Sequence, residues 1–293
     1  MQPSAIQPIP PVSLYHTGLL AELRTFWAVV RREWTIFLRY PSWVVAMLVW
    51  PVIFPMIYIM SARALAGPQG AGLAVFQLRT GIQDYIGFIA IGTTIWMWQN
   101  IVLWDVGFSL RNEQLRGTLE ANWMAPARRF SLLLGASAVQ MVTMLVFIAV
   151  SVLEFGLLYG VRYNGNPLLV LLMLLVCIPS IYGLGIGFAS LVIAAKEAHT
   201  FVFLLRAMVM IFCGITFPLS VLPGWMQSVA SWLPQTYMIT GMRLAALGGA
   251  DFATLWPYIR ILLLFGVIWL AIGYTLFAQM ERRARRNGTI GHF

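Results

Sequence analysis

Apolar and basic positions interleave near the start of the chain. Leu19, Leu20, Leu23, Phe26, Trp27, Val30, Trp34, Phe37 and Leu38 recur at helical spacing, with Arg24, Arg31, Arg32 and Glu33 between them. That stripe predicts an amphipathic helix over 19–41 lying in a membrane interface rather than crossing it. Pro41 stops the helix, and Ser42 stands where it can cap the next one. Beyond it, six blocks are long and apolar enough to span a bilayer, which takes about 20 residues per helix. They run over 42–60, 85–110, 132–159, 168–195, 200–222 and 258–280. Start signals agree with this division: Asp84 precedes the second block, Ser131 the third, and Asn166 with Pro167 the fourth. Pro51 and Pro55 are expected to kink the first span. Residues 1–18 read as a flexible tail and 281–293 as a basic cytoplasmic tail around a six-helix body over 42–280. The stretch 1–11 is Pro-rich and lacks the basic-then-apolar order of a signal peptide, so the first span is expected to serve as its own insertion signal.

One region fits neither a span nor an ordinary loop. From 217 to 247 the chain is apolar and aromatic but is cut by Pro218, Pro223 and Pro234 into pieces of about ten residues, too short to cross. The pattern predicts a pair of short helices dipping back into the outer leaflet, a re-entrant hairpin before the last helix. Such backbone is tolerated only where the rest of the protein covers it. The expected fold is therefore an all-α integral membrane protein with six transmembrane helices, an N-terminal interfacial helix and this hairpin.

Composition supports the membrane reading. Of 293 residues, 60% are apolar and only 10% charged, against about 25% charged in a typical soluble domain. The mean hydropathy is +0.81. A net charge of +9 would suggest nucleic acid in a soluble protein. Here the basic residues gather between apolar blocks, so no nucleic-acid partner is expected. With both termini inside, Arg24, Arg31, Arg32, Arg39, Arg111, Arg116, Arg128, Arg129, Lys196, Arg282, Arg283, Arg285 and Arg286 face the cytoplasm. Only Arg63, Arg79, Arg162, Arg243 and Arg260 face out. This asymmetry predicts a multi-pass protein of the cytoplasmic (inner) membrane with both ends cytoplasmic.

The chain offers little to enzymatic chemistry. A phosphate-binding Walker loop needs a Lys after a Gly-rich turn, and the single lysine, Lys196, sits in Ala-Ala-Lys-Glu. His16 and His292 lie in the tails and His199 in a short turn, without metal-ligand spacing. Cys177 and Cys213 fall inside apolar runs, where a thiol acts as a small hydrophobe. Three ionisable residues lie within the spans, where a charge costs roughly 2.5 to 3.5 kcal/mol at a helix centre. Asp105 and Arg206 fall at similar depth and are candidates for a gate or a structural pair, and snorkelling to the interface is the alternative. Glu154 marks either the outer end of a pathway or a neutral site within protein. Trp96 and Trp98, near mid-span, are candidates to line a path for a lipid tail or sugar ring, or else to pack helices. Gly156, Gly160, Gly183, Gly185 and Gly187 read as sites of close helix packing within the bundle.

The loop after the second span is the most informative segment. It reads Arg111-Asn-Glu-Gln-Leu-Arg-Gly-Thr-Leu-Glu120 and runs on to Pro126 and Arg129. Leu115, Leu119, Trp123 and Met124 are apolar at helical spacing, which predicts a short amphipathic helix over 112–124 that rests on the membrane surface or docks on a partner. The order Glu113, Gly117, Thr118, Leu119, Glu120, Pro126 resembles the second-to-third-helix loop of type-2 ABC exporter permeases. Gly214-Ile-Thr-Phe-Pro218, Leu222-Pro223-Gly-Trp225, Leu233-Pro234-Gln-Thr-Tyr237 and Gly241-Met-Arg243 are similar to that family's stretch before the last helix. With the Arg39-Tyr-Pro41 ending of the interfacial helix, the resemblance covers nearly the whole chain.

The resemblance implies a permease that pairs with a second copy of itself and docks a separate ABC ATPase, which would carry the ATP and Mg; this chain would bind no cofactor. Glu113, Arg116, Gly117 and Glu120 would belong to the coupling helix, and the interfacial helix would make a second ATPase contact. Pro218, Pro223, Pro234, Tyr237 and Arg243 would shape the outer segment. The seam between copies would involve Pro51, Pro55 and 208–217. The aromatic, weakly charged path implies an amphipathic substrate such as a drug, lipid or lipid-linked glycan among membrane lipids. Two other classes stay open on the sequence alone. One is a membrane enzyme acting on lipids or sugars, which the scattered acidic residues disfavour. The other is a secondary transporter, which the lack of an internal repeat disfavours. A purely structural anchor leaves the amphipathic loop unexplained, and an exporter-like component for haem or lipoprotein handling is a close variant.

Overall fold

The computed structural model describes residues 18–66, 71–80, 82, 84–118, 121–122, 129–194 and 198–287, and these are helical with short connections. In chain order the helices are α1 (Leu19–Arg39), α2 (Pro41–Ala66), α3 (Ala71–Thr80), α4 (Tyr85–Asp105), α5 (Ser109–Leu115), α6 (Arg129–Tyr159), α7 (Pro167–Ala194), α8 (Ala198–Phe212), α9 (Gly224–Ala230), α10 (Pro234–Ala246) and α11 (Phe252–Asn287). A single 3-10 turn, Leu219–Val221, lies between α8 and α9.

Five helical stretches among the described residues are long and apolar enough to cross a membrane: Pro41–Ala66, Tyr85–Leu115, Arg129–Tyr159, Pro167–Val192 and Phe252–Arg283. The block expected over 200–222 contributes a shorter helix. Among the described residues α8 has 15 residues, roughly 22 Å at 1.5 Å per residue, against the ~30 Å hydrocarbon core. Its ending is local. Gly214 adopts the left-handed region at φ 66°, and the chain continues through a turn to Pro218.

α4 is the central post of the bundle. Its most apolar window is 89% buried, against 17% for that of α2, and α2, α6, α7, α8 and α10 all pack on it. The longest interface joins α7 to α11. There the backbones approach too closely for side chains. A Cβ on Gly183 would lie 2.6 Å from the Leu270 nitrogen, and one on Gly273 would lie 2.8 Å from the Gly183 oxygen. Those glycines thus pack helices within one chain, as expected. Gly156 does not: a Cβ there would meet only the Val161 oxygen, at 4.0 Å, and Gly160, at φ 68°, follows the last residue of α6.

Caps follow the sequence at two of four places. The Asp84 carboxylate accepts from the Gly87 N–H at 2.9 Å, and Asn166 Oδ1 accepts from the Leu168 N–H at 2.9 Å. Ser42 and Ser131 are not caps. α2 begins at Pro41 and α6 at Arg129, so both serines lie in the first turn, and the Ser131 hydroxyl donates to Glu22 of α1. Pro51 and Pro55 lie inside one continuous helix, both buried.

Candidate functional site

Polar side chains concentrate at one end of the bundle, where α1, α5 and the start of α6 meet. α1 runs along α6. Its Arg32 donates from Nε and Nη2 to Glu33 at 3.0 and 2.5 Å, and from Nη2 to Glu113 of α5 at 2.8 Å. Burial works against the charge on Arg32, but the Glu33 and Glu113 carboxylates outweigh it and hold its pKa above the ordinary value. The pair is partly solvated, so its energy is at most about 1 kcal/mol. Its role is to fix α1 and α5 in register.

Glu113 is the hub of this end. Its second oxygen accepts from the Thr118 hydroxyl at 2.5 Å and the Asn122 amide at 2.7 Å. The backbone shows why the sequence carries Gly-Thr there. Gly117 sits at φ 70°, its N–H donates to the Gln114 oxygen, and the Thr118 N–H donates to the Glu113 oxygen, each at 3.0 Å. This is a Schellman ending, in which a left-handed glycine lets two orphan carbonyls of the last turn find donors. The helix expected as one piece over 112–124 is therefore divided. α5 ends at Leu115, and helical geometry resumes at residues 121–122. Arg116 is exposed at the cap. Leu119, Glu120, Trp123, Met124 and Pro126 lie outside the described residues. A further tie joins α6 to α11, where Arg129 Nη1 donates to Glu281 at 2.8 Å.

Asp105 and Arg206 are not brought together. Asp105 is exposed at the end of α4. Arg206 makes no ion pair among the described residues; its guanidinium carbon lies 5.2 Å from the Trp96 ring centroid and 5.7 Å from that of Phe203. The Trp96 indole donates to the Arg206 carbonyl at 3.3 Å and stacks on Phe54 with centroids 4.8 Å apart. Cation–π contact thus replaces the expected carboxylate as partner of the guanidinium. Trp98 is wholly buried in the main core, where it packs helices. Glu154 has a buried oxygen without a hydrogen-bond partner among the described residues.

At the opposite end each proline of the broken stretch stands at a helix start: Pro218 before the 3-10 turn, Pro223 before α9, and Pro234 as the first residue of α10. The Thr236 hydroxyl donates to the Ala230 oxygen at 2.7 Å and the Tyr237 hydroxyl to the Ser231 oxygen at 3.0 Å, folding α10 back on α9. α10 is held by Arg243, which is only 5% exposed. Its Nε donates to the Phe88 oxygen at 3.0 Å, Nη1 to the Gly214 oxygen at 2.8 Å and Nη2 to the Ile215 oxygen at 2.6 Å. The last two acceptors belong to the turn that ends α8, where a cation suits the carbonyl end of a helix. Gly92 makes room: a Cβ there would fall 2.3 Å from the Ile215 oxygen and 2.5 Å from Nη2. The sequence marked Arg243, but the roles of Arg32, Asn122 and Gly92 were not visible in it; the one signal was Arg32 on the polar face of α1.

These features define a multi-pass helical membrane protein with a polar, multi-helix surface at one end and a Pro-punctuated helical pair at the other. The chain belongs to the family described as ABC-2 family transporter protein, which matches residues 72–275, and so is the permease of an ABC transporter. It is similar to the probable doxorubicin resistance ABC transporter permease protein DrrC of Mycobacterium tuberculosis, 28% identical over 174 residues, 58% of this chain and 60% of the relative. It is also similar to the linearmycin resistance permease protein LnrN of Bacillus subtilis, 26% identical over 136 residues, 44% of this chain and 35% of the relative. The chain spans less than two thirds of the length of these curated relatives.

Proposed function

We propose that this permease is the membrane half of an ATP-driven exporter. Two copies form the pathway, and a separate ABC ATPase docks on the end carrying Arg32 and Glu113. The observation that carries this reading is the junction itself. α1 and α5 are joined by the Arg32–Glu113 bond, and Glu113 in turn holds Thr118 and Asn122. A push on the loop over 112–124 therefore reaches both the interfacial helix and, through α5, the central post α4. ATP on the partner would then favour one arrangement of the spans over another, which is all the energetic coupling requires. In this reading α8 and the turn after it act as a sixth crossing, since His199 lies beside Trp104 and Phe108 at one end and Gly214 and Ile215 lie by Phe88 at the other. Both chain ends then lie on the cytoplasmic face of the inner membrane, and the pair α9 and α10 re-enters the outer leaflet as the outer gate.

The cargo is an amphipathic compound such as a drug, lipid or lipid-linked glycan. The doxorubicin resistance and linearmycin resistance named for the two permease relatives support that class. The test is purification of the tagged permease from its native membrane. An ABC ATPase is expected to copurify with the wild type and to be lost when Glu113 and Arg116 are both reversed in charge; a permease that brings down no ATPase refutes the proposal.

A further inference from the structure

α6 and α7 follow one another in sequence yet scarcely touch along their length. Near their middle the Tyr182 hydroxyl donates to Gln140. From there toward the connecting loop, on the end away from Arg32 and Glu113, the two helices leave a cavity of about 340 Å³ between them. The first half of α4 forms its floor, through Ala90, Ile91 and Thr94, and Met242 and Ala246 of α10 close the back. Val152 of α6 and Leu171 of α7 flank it, and both are exposed, 42% and 49%. The opening therefore lies on the outer surface of two membrane-spanning helices.

The lining tells what enters. Two of its three hydroxyls are committed to their own helices: Thr94 Oγ1 donates to the Ala90 oxygen at 2.7 Å, and Ser151 Oγ to the Phe147 oxygen at 2.8 Å; the third, of Tyr163, belongs to the connecting loop after α6. A polar head drawn in between the two helices, past that tyrosine, would lose its hydration and gain no uncommitted side-chain partner. Water is equally unsuited, because apolar cavities stay dry. Yet the slot opens on hydrocarbon, and walls without contact atoms forfeit dispersion attraction. A cavity of ~150 Å³ takes a benzene, so this one accommodates roughly a dozen carbons.

We infer that the slot between α6 and α7 is a binding site for one acyl chain of a bilayer phospholipid, held by its hydrocarbon alone, with the head group outside. The chain supplies the packing that α6 does not give α7, and it rests against α10, the helix that Arg243 fastens to α4. Lipid occupancy thereby braces the Pro-broken end of the molecule.

The experiment uses the full-length permease in lipid discs containing a phospholipid with a photoactivatable group midway along one acyl chain, and adducts are mapped by peptide mass spectrometry. Adducts on Ile148, Val152, Leu171 and Leu174 are expected to exceed several-fold those on Leu264 and Val267 of α11, although the latter are more exposed, 60% and 67%. Thr94→Phe, which fills the slot, and Leu171→Trp, which closes its mouth from the lipid side, each reduce the excess to the level of α11. Ethanolamine and glycerol head groups give the same pattern. The proposal is overturned if labelling simply follows exposure, if neither variant changes it, or if the excess depends on the head group.

Discussion

Replacing Arg243 by Met retains the length of the side chain but removes every donor. Three carbonyl oxygens, of Phe88, Gly214 and Ile215, then lose partners at 2.6 to 3.0 Å. Bonds from a charged donor contribute about 1.5–3 kcal/mol each, but the variant is also relieved of a buried guanidinium. Each buried acceptor left unsatisfied costs about 1–3 kcal/mol, and relief of the buried charge offsets part of the sum, so a net loss of about 3 kcal/mol lowers the melting temperature by on the order of 10 °C. Arg243→Lys keeps the charge without the planar fork and should fall between. Gly92→Ala strikes the same acceptors from the other side, so its effect and that of R243M should not add. The assay is built into the chain, since Cys177 and Cys213 are free and buried and Cys213 adjoins the turn that Arg243 holds. A thiol-reactive dye should label Cys213 before Cys177 in R243M on warming, with Cys213→Ala as control. An R243M protein that melts like the wild type and keeps Cys213 as protected as Cys177 would refute the argument.

Two further outcomes follow from the geometry. Gly117→Val places a β-branched residue in the left-handed region, at a cost of about 1–2 kcal/mol. Because nothing lies within 4 Å of a Cβ there, the protein should reach the membrane normally but lose stimulation of its ATPase, measured in discs. Trp98→Leu leaves a hole in the core and should cut the yield of folded protein, consistent with the several kcal/mol that such truncations cost. Trp96 is buried in the same core, 6% exposed, and Trp96→Leu also removes the stack on Phe54 and the contact with Arg206, so it should cut the yield as well; size-exclusion profiles of the two variants check this.

Much of this was legible from local pattern. The amphipathic stripe of α1, the Asp84 and Asn166 caps and the proline-set starts of α9 and α10 rest on spacing and backbone chemistry, which act over a few residues. What the sequence could not show is distance across the bundle. Arg206 stands beside Trp96, nine residues before Asp105 on α4, about 13.5 Å at 1.5 Å per residue, so the two differ in depth and an aromatic ring rather than a carboxylate partners the arginine. Trp96 and Trp98 are both buried in the core, which their mid-span positions alone could not show. Ser131 reads as a cap because a hydroxyl before an apolar run usually is one; here it lies inside the helix and tertiary contact with Glu22 claims it. Gly117 interrupts the coupling segment where apolar periodicity alone predicted one helix.

The central claim is that Arg32 and Glu113 transmit ATP-driven motion between α1 and α5. It is tested most directly by measuring substrate-stimulated ATP hydrolysis of the reconstituted permease and ATPase in three variants: Arg32→Glu, Glu113→Arg, and both together. Each single change places like charges 2.8 Å apart and should abolish stimulation while the ATPase stays bound; the double swap restores the ion pair and should recover a substantial part of it. If both single variants hydrolyse ATP with full substrate stimulation, the junction does not couple the two proteins.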